Sequence, residues 1–350
     1  MAPVINAFSR ESWADVQVLA TAQHRHMLDQ VLRVFGIEPD IDLDIMQPNQ
    51  ALASLTARLL MNIDDVFLTQ RPDVVLAQGD TTTVMTVALA CFYRSIPFGH
   101  VEAGLRTGDM YNPFPEEMNR VIAGRMAQLH FAPTESARQN LHREGISEHQ
   151  VFLTGNTVID ALLEVAGRRP EVGIDLDPKK RLVLVTAHRR ENFGEPFREI
   201  CRAIRELAER NTDVQVLYPV HPNPNVEKVA HEMLGDHPRI LLSPPLDYLP
   251  FVGAMQRSYF ILSDSGGVQE EAPALAKPVL VLRYETERPE AVTEGVVKLV
   301  GPDAERILFE SQRLLDDQIA YHAMARGVSP YGDGMAAKRI VDAVRGSLVL

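Results

Sequence analysis

The stretch Leu262-Ser263-Asp264-Ser265-Gly266-Gly267-Val268-Gln269-Glu270-Glu271-Ala272 decides the fold of this chain. The apolar run over residues 259–262 predicts a buried strand, and the residues from Val268 onward predict the first turn of a helix. Gly266 and Gly267 in the turn between them would let a ligand approach the backbone closely. Free N–H groups and the helix dipole favour a phosphate there. The alternative is an ordinary βα turn with a serine cap and glutamates in the first helical turn.

Length and composition restrict the class of protein. A chain of 350 residues predicts two domains, and 45% hydrophobic with 6% aromatic residues suits an aliphatic α/β core. The two cysteines, Cys91 and Cys201, have neither disulfide nor metal-site spacing, so a cytoplasmic location fits. There is no signal peptide and no apolar run long enough for a membrane. The net charge of −12 argues against nucleic acid as the main partner.

Short apolar runs alternate with helical patterns in both halves of the chain. The predicted strands are residues 16–20, 74–77, 97–101, 129–132, 151–154, 182–186, 214–218, 240–242, 259–262 and 279–282. The predicted helices are residues 22–35, 50–68, 82–93, 116–127, 135–143, 195–210, 225–234, 246–256 and 268–275. Continuously apolar strands between helices indicate parallel sheets that are covered on both faces.

A Pro/Gly/charge-rich stretch over residues 167–180 predicts a linker between the halves. The predicted domains are residues 1–168, joined by a C-terminal helix over residues 334–350, and residues 177–333. We therefore expect an α/β fold of two doubly wound Rossmann-like domains that face each other across a cleft. Ligands of such sheets bind beyond the carboxyl ends of the strands, which is where the polar motifs of this chain lie.

Carboxylates follow the predicted strands of the first half. Asp80 comes after residues 74–77, and Glu102 ends an apolar strand and precedes a glycine loop. Glu116 and Glu117 open a helix, where glutamates are ordinary partners of the helix dipole. Asp80 could equally cap the helix that follows it. Three carboxylates in one cleft would form a general acid/base set.

Basic residues follow the predicted strands of the second half. His188, with Arg189 and Arg190 beside it, predicts a diphosphate clamp, and the alternative is a solvated loop paired with Glu191. Arg288 follows another strand and could reach the same pocket. His221 lies between prolines, which favours a structural role. No Asp-x-Asp arrangement or His/Cys cluster of clear metal-ligand type is present, so we expect no metal and no cofactor.

Nine segments, taken in order, resemble the motif set of the non-hydrolysing UDP-N-acetylglucosamine 2-epimerases. They are residues 78–82, 100–108, 115–120, 154–160, 188–192, 218–224, 263–273, 286–289 and 330–334. The resemblance implies the GT-B architecture and a homodimer. It also implies reversible conversion of UDP-N-acetylglucosamine to UDP-N-acetylmannosamine for surface polysaccharide synthesis, by elimination and re-addition of UDP.

The resemblance also implies a role for each matching residue. Asp80, Glu102 and Glu116 would carry protons, without an assignment of which removes and which returns the proton, and His188 would lie near the diphosphate. The residues expected to bind UDP are Phe251 near uracil, Ser265, Gly266 and Gly267 on phosphate, Glu271 on the ribose, and Arg288. Some members have a second, activating substrate site. Gln23, His24 and Arg25 match its pattern, whereas His26 and Asn49 depart from it.

The chain departs from the family pattern at its start. Members begin with a strand, a Gly-Thr-Arg-Pro-Glu loop and a lysine before a helix, whereas Met1 here aligns inside that helix. This alignment predicts exposed strand edges and slow turnover. Two alternatives therefore accompany the epimerase: a GT-B glycosyltransferase, which would not need the three carboxylates, and a catalytically impaired UDP-sugar binder.

Overall fold

The computed structural model describes residues 1–21, 25–45 and 50–348, with the side chains of residues 25–27 outside that description. The chain divides into two compact units. The first unit is Met1–Ala161 with Tyr331–Leu350, and the second unit is Leu162–Pro330. The predicted fold class, α/β with parallel sheets, is confirmed. No described helix combines the length and apolar character that crossing a membrane requires.

The first unit contains parallel strands and helices in alternation. Its strands are β1 (Leu19–Ala20), β2 (Ile41–Asp42), β3 (Val75–Gln78), β4 (Phe98–Val101), β5 (Leu129–Ala132) and β6 (Val151–Leu153). Its helices are α1 (Ala2–Phe8), α2 (Arg25–Phe35), α3 (Leu52–Gln70), α4 (Thr82–Arg94), α5 (Glu116–Met126), α6 (Glu135–Arg143) and α7 (Thr157–Gly167), which continues into the second unit.

The strands of the first unit form two ladders. β3, β4, β5 and β6 are hydrogen-bonded in chain order, and β1 pairs with β2. β3 and β4 align Gln78 with Val101, so that the residues following both strands emerge at the same edge. Because every strand is parallel, that edge collects the carboxyl ends of β3 and β4.

The second unit is built around a six-stranded sheet. Its strands are β7 (Arg181–Thr186), β8 (Val214–Pro219), β9 (Ile240–Ser243), β10 (Ser258–Ser263), β11 (Val279–Val281) and β12 (Val297–Leu299). Its remaining helices are α8 (Glu195–Arg210), α9 (Pro224–Leu234), α10 (Tyr248–Arg257), α11 (Gly266–Ala274), α12 (Pro289–Thr293), α13 (Ala304–Asp316) and α14 (Gln318–Met324), and α15 (Ala336–Leu348) returns to the first unit.

The order of this sheet indicates a candidate ligand-binding edge. The strands lie in the order β12-β11-β10-β7-β8-β9, all parallel, which is the doubly wound arrangement. The chain reverses direction across the sheet between β7 and β10, and their aligned ends are Thr186 and Ser263. A crevice opens outside the carboxyl ends of the strands at such a switch point. The His188 loop follows β7, and the quoted turn follows β10.

Each unit has a hydrophobic core built mainly from aliphatic side chains. The second unit buries side chains from β7, β8 and β10 against α8, such as Val183, Ile200 and Phe260, which are fully inaccessible to solvent. In the first unit, Val4 and Phe8 of α1 pack with Ile340 of α15. The C-terminal helix therefore completes the core of the first unit.

Candidate functional site

Asp80 is held in place by the first turns of α5. It follows β3 after Gly79, whose φ of +90° requires a residue without a side chain. Asn119 Nδ2 donates to the Asp80 carbonyl at 2.8 Å, and Arg120 Nη2 donates to Asp80 Oδ2. Its carboxylate therefore binds a partner from another element, which a simple helix cap would not do.

A buried histidine holds the same turn from beneath. The ring of His100 on β4 is fully buried, and its Nε2 lies 2.7 Å from the carbonyl oxygen of Gly79. Burial lowers the pKa of His100 to about 4, so the ring is neutral at neutral pH and Nε2–H donates to the carbonyl. The turn that bears Asp80 is thus fixed from two sides.

Glu102 occupies a strained backbone position directly after β4. Its φ of +64° is in the left-handed region, which non-glycine residues seldom adopt. Gln78 Nε2 donates to Glu102 Oε2 at 3.1 Å, while Gln78 Oε1 accepts from the Thr157 hydroxyl and from the amino group of Met1. The amide of Gln78 is therefore oriented, and it fixes one oxygen of the Glu102 carboxylate.

The two glutamates that open α5 have different environments. Glu117 is buried, and its Oε1 accepts from the backbone N–H groups of Thr107 and Gly108, each at 3.0 Å. Glu116 is half-buried, and no described residue forms a hydrogen bond with its carboxylate. Glu117 therefore secures the loop after Glu102, while Glu116 remains available for chemistry.

The turn after β10 leaves the start of α11 open. α11 begins at Gly266, so the two glycines that sequence analysis places in the turn are its first residues. The Ser265 side chain makes no cap hydrogen bond, contrary to the ordinary capped turn considered as the alternative. A Cβ on Gly266 or Gly267 would approach nothing closer than 3.8 Å or 3.9 Å. Packing within the protein therefore does not demand glycine, and the free N–H groups suit an anion.

Asp264 ties this turn to the loop after β7. Its side chain is fully buried, and Oδ2 accepts from the backbone N–H of His188 at 2.9 Å and of Arg189 at 2.8 Å. Asn192 Nδ2 donates to the same oxygen at 3.1 Å. The sequence alone indicates no role for Asp264, because its partners lie more than seventy residues away along the chain.

His188 stacks on His221 beside this buried carboxylate. The two ring centroids are 5.4 Å apart and the rings are nearly parallel, at 11°. Burial lowers the pKa of His188, as do His221 and Arg189, whereas Asp264 opposes the shift. The Nδ1 of His221 accepts from the Asn223 backbone N–H at 3.1 Å. His221 thus has the local structural contact that its position between prolines predicts. Its ring also stacks on His188, the residue expected to lie near the diphosphate.

Arg288 and its neighbours form an ion-pair network. Arg288 Nε binds Glu270 Oε1, so its guanidinium is already paired in this state. Arg283, which sequence analysis does not single out, is buried and joins Glu191 at 2.5 Å to Glu287 at 2.7 Å. Glu191 therefore pairs with a distant arginine and not with its neighbours Arg189 and Arg190, which corrects the solvated-loop alternative.

The remaining predicted UDP contacts flank the same edge of the second unit. Glu271 on α11 is buried, and burial with the nearby Glu270 raises the pKa of its carboxyl group to about 8. Phe251 lies half-buried on α10. Gln23 and His24 of the candidate regulatory site lie outside the described residues, and so does the side chain of Arg25.

The sequence model of the UDP-N-acetylglucosamine 2-epimerases matches residues 6–345. The chain belongs to the UDP-N-acetylglucosamine 2-epimerase family. The UDP-N-acetylglucosamine 2-epimerase of Escherichia coli K12 is 51% identical over 359 residues, which span all of this chain and 96% of that relative. The resemblance drawn from the sequence motifs is thereby confirmed.

Solved structures of 2-epimerases share the fold. The Neisseria meningitidis enzyme bound to UDP-N-acetylglucosamine is 45% identical with a TM-score of 0.86, covering 99% of this chain and 96% of the other. The Methanocaldococcus jannaschii 2-epimerase in complex with UDP-N-acetylglucosamine and UDP is 32% identical with a TM-score of 0.75, covering 99% and 95%.

Within the first unit, the structure places Asp80 and Glu102 at neighbouring strand ends and Glu116 on the helix that holds Asp80. Within the second unit, it groups His188 with the Ser265–Gly267 turn through Asp264. Gln78, Asn119, Arg120, Asp264 and Arg283 are the supporting residues that sequence reasoning missed. Each of them acts through a partner that is distant in sequence.

Proposed function

We propose that the protein reversibly epimerises C2 of UDP-N-acetylglucosamine to give UDP-N-acetylmannosamine. The observation that carries the proposal is the division of chemistry between the units. Carboxylates stand at adjoining strand ends in one unit, and an open helix start with a histidine stands at the switch point of the other. Membership of the 2-epimerase family supports it.

The reaction needs a base at C2 and a site that stabilises the leaving diphosphate, because the C2 hydrogen is not acidic enough for simple deprotonation. A carboxylate removes the C2 proton, the bond between C1 and the UDP oxygen breaks, and a C1–C2 double bond forms. A proton then returns to the opposite face of C2, and UDP adds back to C1. The net change is inversion at C2.

We assign the proton transfers to Asp80, Glu102 and Glu116. Asp80 forms an ion pair with Arg120, which holds its carboxylate in place. Glu102 is oriented by Gln78, and Glu116 has no described partner. An oriented carboxylate suits transfer at a fixed carbon, since geometry governs proton-transfer catalysis.

We assign UDP to the second unit. The N–H groups at Gly266 and Gly267 and the ring of His188 meet the diphosphate, Glu271 meets the ribose, and Phe251 lies near the base. To reach the ligand, the Arg288 guanidinium must either break its ion pair with Glu270 or bind Glu270 and the ligand at the same time. This set binds phosphate without a metal ion, because backbone donors and cationic side chains supply the charge complement.

We further propose a cytoplasmic homodimer that supplies a precursor for surface polysaccharide. Cys91 and Cys201 are buried thiols, as suits a reducing compartment.

An exposed apolar cluster supports the homodimer. It lies on α3 and α4, near the Arg94–Asp64 ion pair that links those helices, and consists of Met61, Leu68, Phe92 and Tyr93. Exposed apolar clusters of this kind mark association surfaces. Light scattering of the protein and of Phe92→Ser tests the assembly, and a monomeric wild-type protein contradicts it.

Isotope exchange tests the elimination chemistry. In deuterated water, the wild-type protein should place deuterium at C2 of both sugars during turnover, followed by NMR. Glu102→Gln keeps an acceptor for Gln78 but removes one of the three carboxylates to which the proton transfers are assigned. It should suppress exchange and leave UDP affinity within about twofold of wild type. Epimerisation with full retention of the C2 hydrogen contradicts the mechanism.

A further inference from the structure

The buried carboxylate of Asp264 has one oxygen without a partner, and that oxygen faces His188. Oδ2 accepts three hydrogen bonds, from the His188 and Arg189 backbones and from Asn192. Oδ1 is inaccessible to solvent and has no hydrogen-bond partner among the described residues. Its neighbour is His188 Nδ1, at 3.7 Å. A buried carboxylate oxygen left unpaired is costly, so the position calls for a donor.

The surroundings restrict which way the His188 ring can turn. The ring lies flat against His221, and the side chain of His188 remains 40% exposed on its open side. The backbone N–H of His188 donates to Asp264 Oδ2, which keeps the base of the His188 side chain beside the carboxylate. Nδ1 lies 3.7 Å from Oδ1, so a small rotation of the ring would bring the two atoms within hydrogen-bond distance. Nε2, on the other side of the ring, is then the atom that can meet a ligand.

We propose that Asp264 is the positioning residue for His188: it holds a proton on Nδ1 and thereby makes Nε2 accept a proton when a diphosphate binds. The inference rests on the proposed function for the identity of the ligand. A carboxylate that binds the Nδ1–H of an imidazole fixes the tautomer and stabilises the imidazolium. One proton then moves from solvent to Nε2 as the diphosphate arrives, and Nε2–H donates to a phosphate oxygen.

The charged and titratable groups around His188 shift its pKa in opposite directions. His221 and Arg189 disfavour its cationic form, as burial does, so that the pKa of His188 is lowered in the free protein. Asp264 favours the cationic form. A diphosphate adds negative charge on the exposed side and tips the balance toward the imidazolium. Because the free ring is neutral at mildly alkaline pH, binding must take up a proton there.

The first experiment uses the wild-type protein without ligand. NMR of protein with ¹⁵N-labelled histidine distinguishes the two neutral tautomers, and the His188 signal is assigned by its loss in His188→Gln. The proposal requires the neutral ring to carry its proton on Nδ1. A proton on Nε2 overturns it. This result does not depend on activity, so it stands apart from a failure of the proposed epimerase function.

The second experiment measures proton uptake on binding. Calorimetric titration with UDP at about pH 8, in buffers of different ionisation enthalpy, gives the protons taken up per UDP. Asp264→Asn and His188→Gln should each abolish the same fraction of that uptake and weaken UDP binding roughly 10- to 100-fold. Glu271, whose pKa is raised to about 8, contributes alike to all three proteins and cancels in the comparison.

Thr186→Val is the matched control for disturbance of these strand ends. The Thr186 hydroxyl lies 2.7 Å from that of Ser263, next to Asp264, so its hydrogen bond is with Ser263 and not with His188. Thr186→Val should therefore leave the proton uptake on UDP binding unchanged. The double variant Asp264→Asn/His188→Gln should bind UDP no more weakly than His188→Gln alone, since one residue acts through the other. The proposal is overturned if the losses of UDP affinity caused by the two single substitutions multiply in the double variant. It is also overturned if a folded Asp264→Asn protein takes up the normal number of protons on binding UDP.

Discussion

The buried histidine pair of the first unit predicts acid sensitivity of the fold. His100 and His130 are register partners on β4 and β5, and both side chains are fully buried. Neither ring nitrogen of His130 has a hydrogen-bond partner among the described residues. Burial, and then the neighbouring His100, lowers the pKa of His130 from 6.5 to about 4; the backbone of Ala127 and Glu144 oppose this effect, and Arg106 reinforces it.

The direction of the pH effect follows from this shift. In the unfolded chain, His130 binds a proton below its ordinary pKa of 6.5, whereas the folded protein takes it up only near pH 4. The folded state is therefore most stable above the unfolded pKa and loses stability as the pH falls through this window. Lowering the pH from about 7.5 to 5 should cost about 2 kcal/mol of unfolding free energy through this residue alone.

His130→Leu removes the titrating group and leaves the strand buried. The variant should be more stable than wild type by about 1 kcal/mol near neutral pH, because an unpaired polar ring is gone. Its advantage should grow by about 2 kcal/mol at pH 5. Urea unfolding of both proteins across this range, followed by circular dichroism, measures the difference.

A surface histidine provides the control. His231 is exposed on the last turn of α9, and His231→Gln should leave the pH dependence unchanged. If His130→Leu and wild type lose stability in parallel between pH 7.5 and pH 5, then His130 is not the neutral buried base inferred from its environment.

Three further changes separate chemistry, ligand binding and stability. Glu116→Gln should lower kcat by about 10²–10⁴ with UDP affinity intact, whereas Glu135→Gln, at the same position of α6, should not, and equal kcat values for the two variants contradict the assignment. Gly267→Ala should weaken UDP binding at least about tenfold without lowering Tm, because its methyl group would meet no protein atom closer than 3.9 Å but would occupy the proposed phosphate position; unchanged binding in calorimetry removes the anion site from this turn. Glu117→Ala should destabilise the first unit by about 1–3 kcal/mol through two N–H groups left without an acceptor, and an unaltered thermal melt contradicts that role.

Periodicity predicted the long elements well where packing covers a whole face. The ranges 129–132, 135–143 and 195–210 agree with β5, α6 and α8 at both ends. These segments have a polar boundary residue or a turn at each end, such as Thr134, whose side chain caps α6 by accepting from Ala137 N. The local sequence alone determines such boundaries.

Short strands were harder to predict because their extent depends on a partner. The predicted strand over residues 16–20 is reduced to Leu19–Ala20, since only those residues pair with Ile41 and Asp42. The strand Val297–Leu299 was missed because three residues carry too little pattern and are defined by pairing with β11. Pairing of this kind is a tertiary property.

The candidate catalytic residues could be predicted from the sequence, whereas the residues that hold them in place could not. Asp80, Glu102 and His188 follow predicted strands, so sheet topology alone predicts their edge. His100 and Arg283 act through Gly79 and through Glu191, and only the folded sheet makes them neighbours. Sequence reasoning could find no signal for these contacts, because each side chain also fits an ordinary core or surface position.

The most direct measurement of the central claim follows the sugar itself. The purified protein is incubated with UDP-N-acetylglucosamine and EDTA in deuterated water, without an acceptor, and the products are resolved by NMR. The account predicts a mixture of UDP-N-acetylglucosamine and UDP-N-acetylmannosamine, each labelled with deuterium at C2. Unchanged substrate without an acceptor, together with sugar transfer when an acceptor is added, would contradict it.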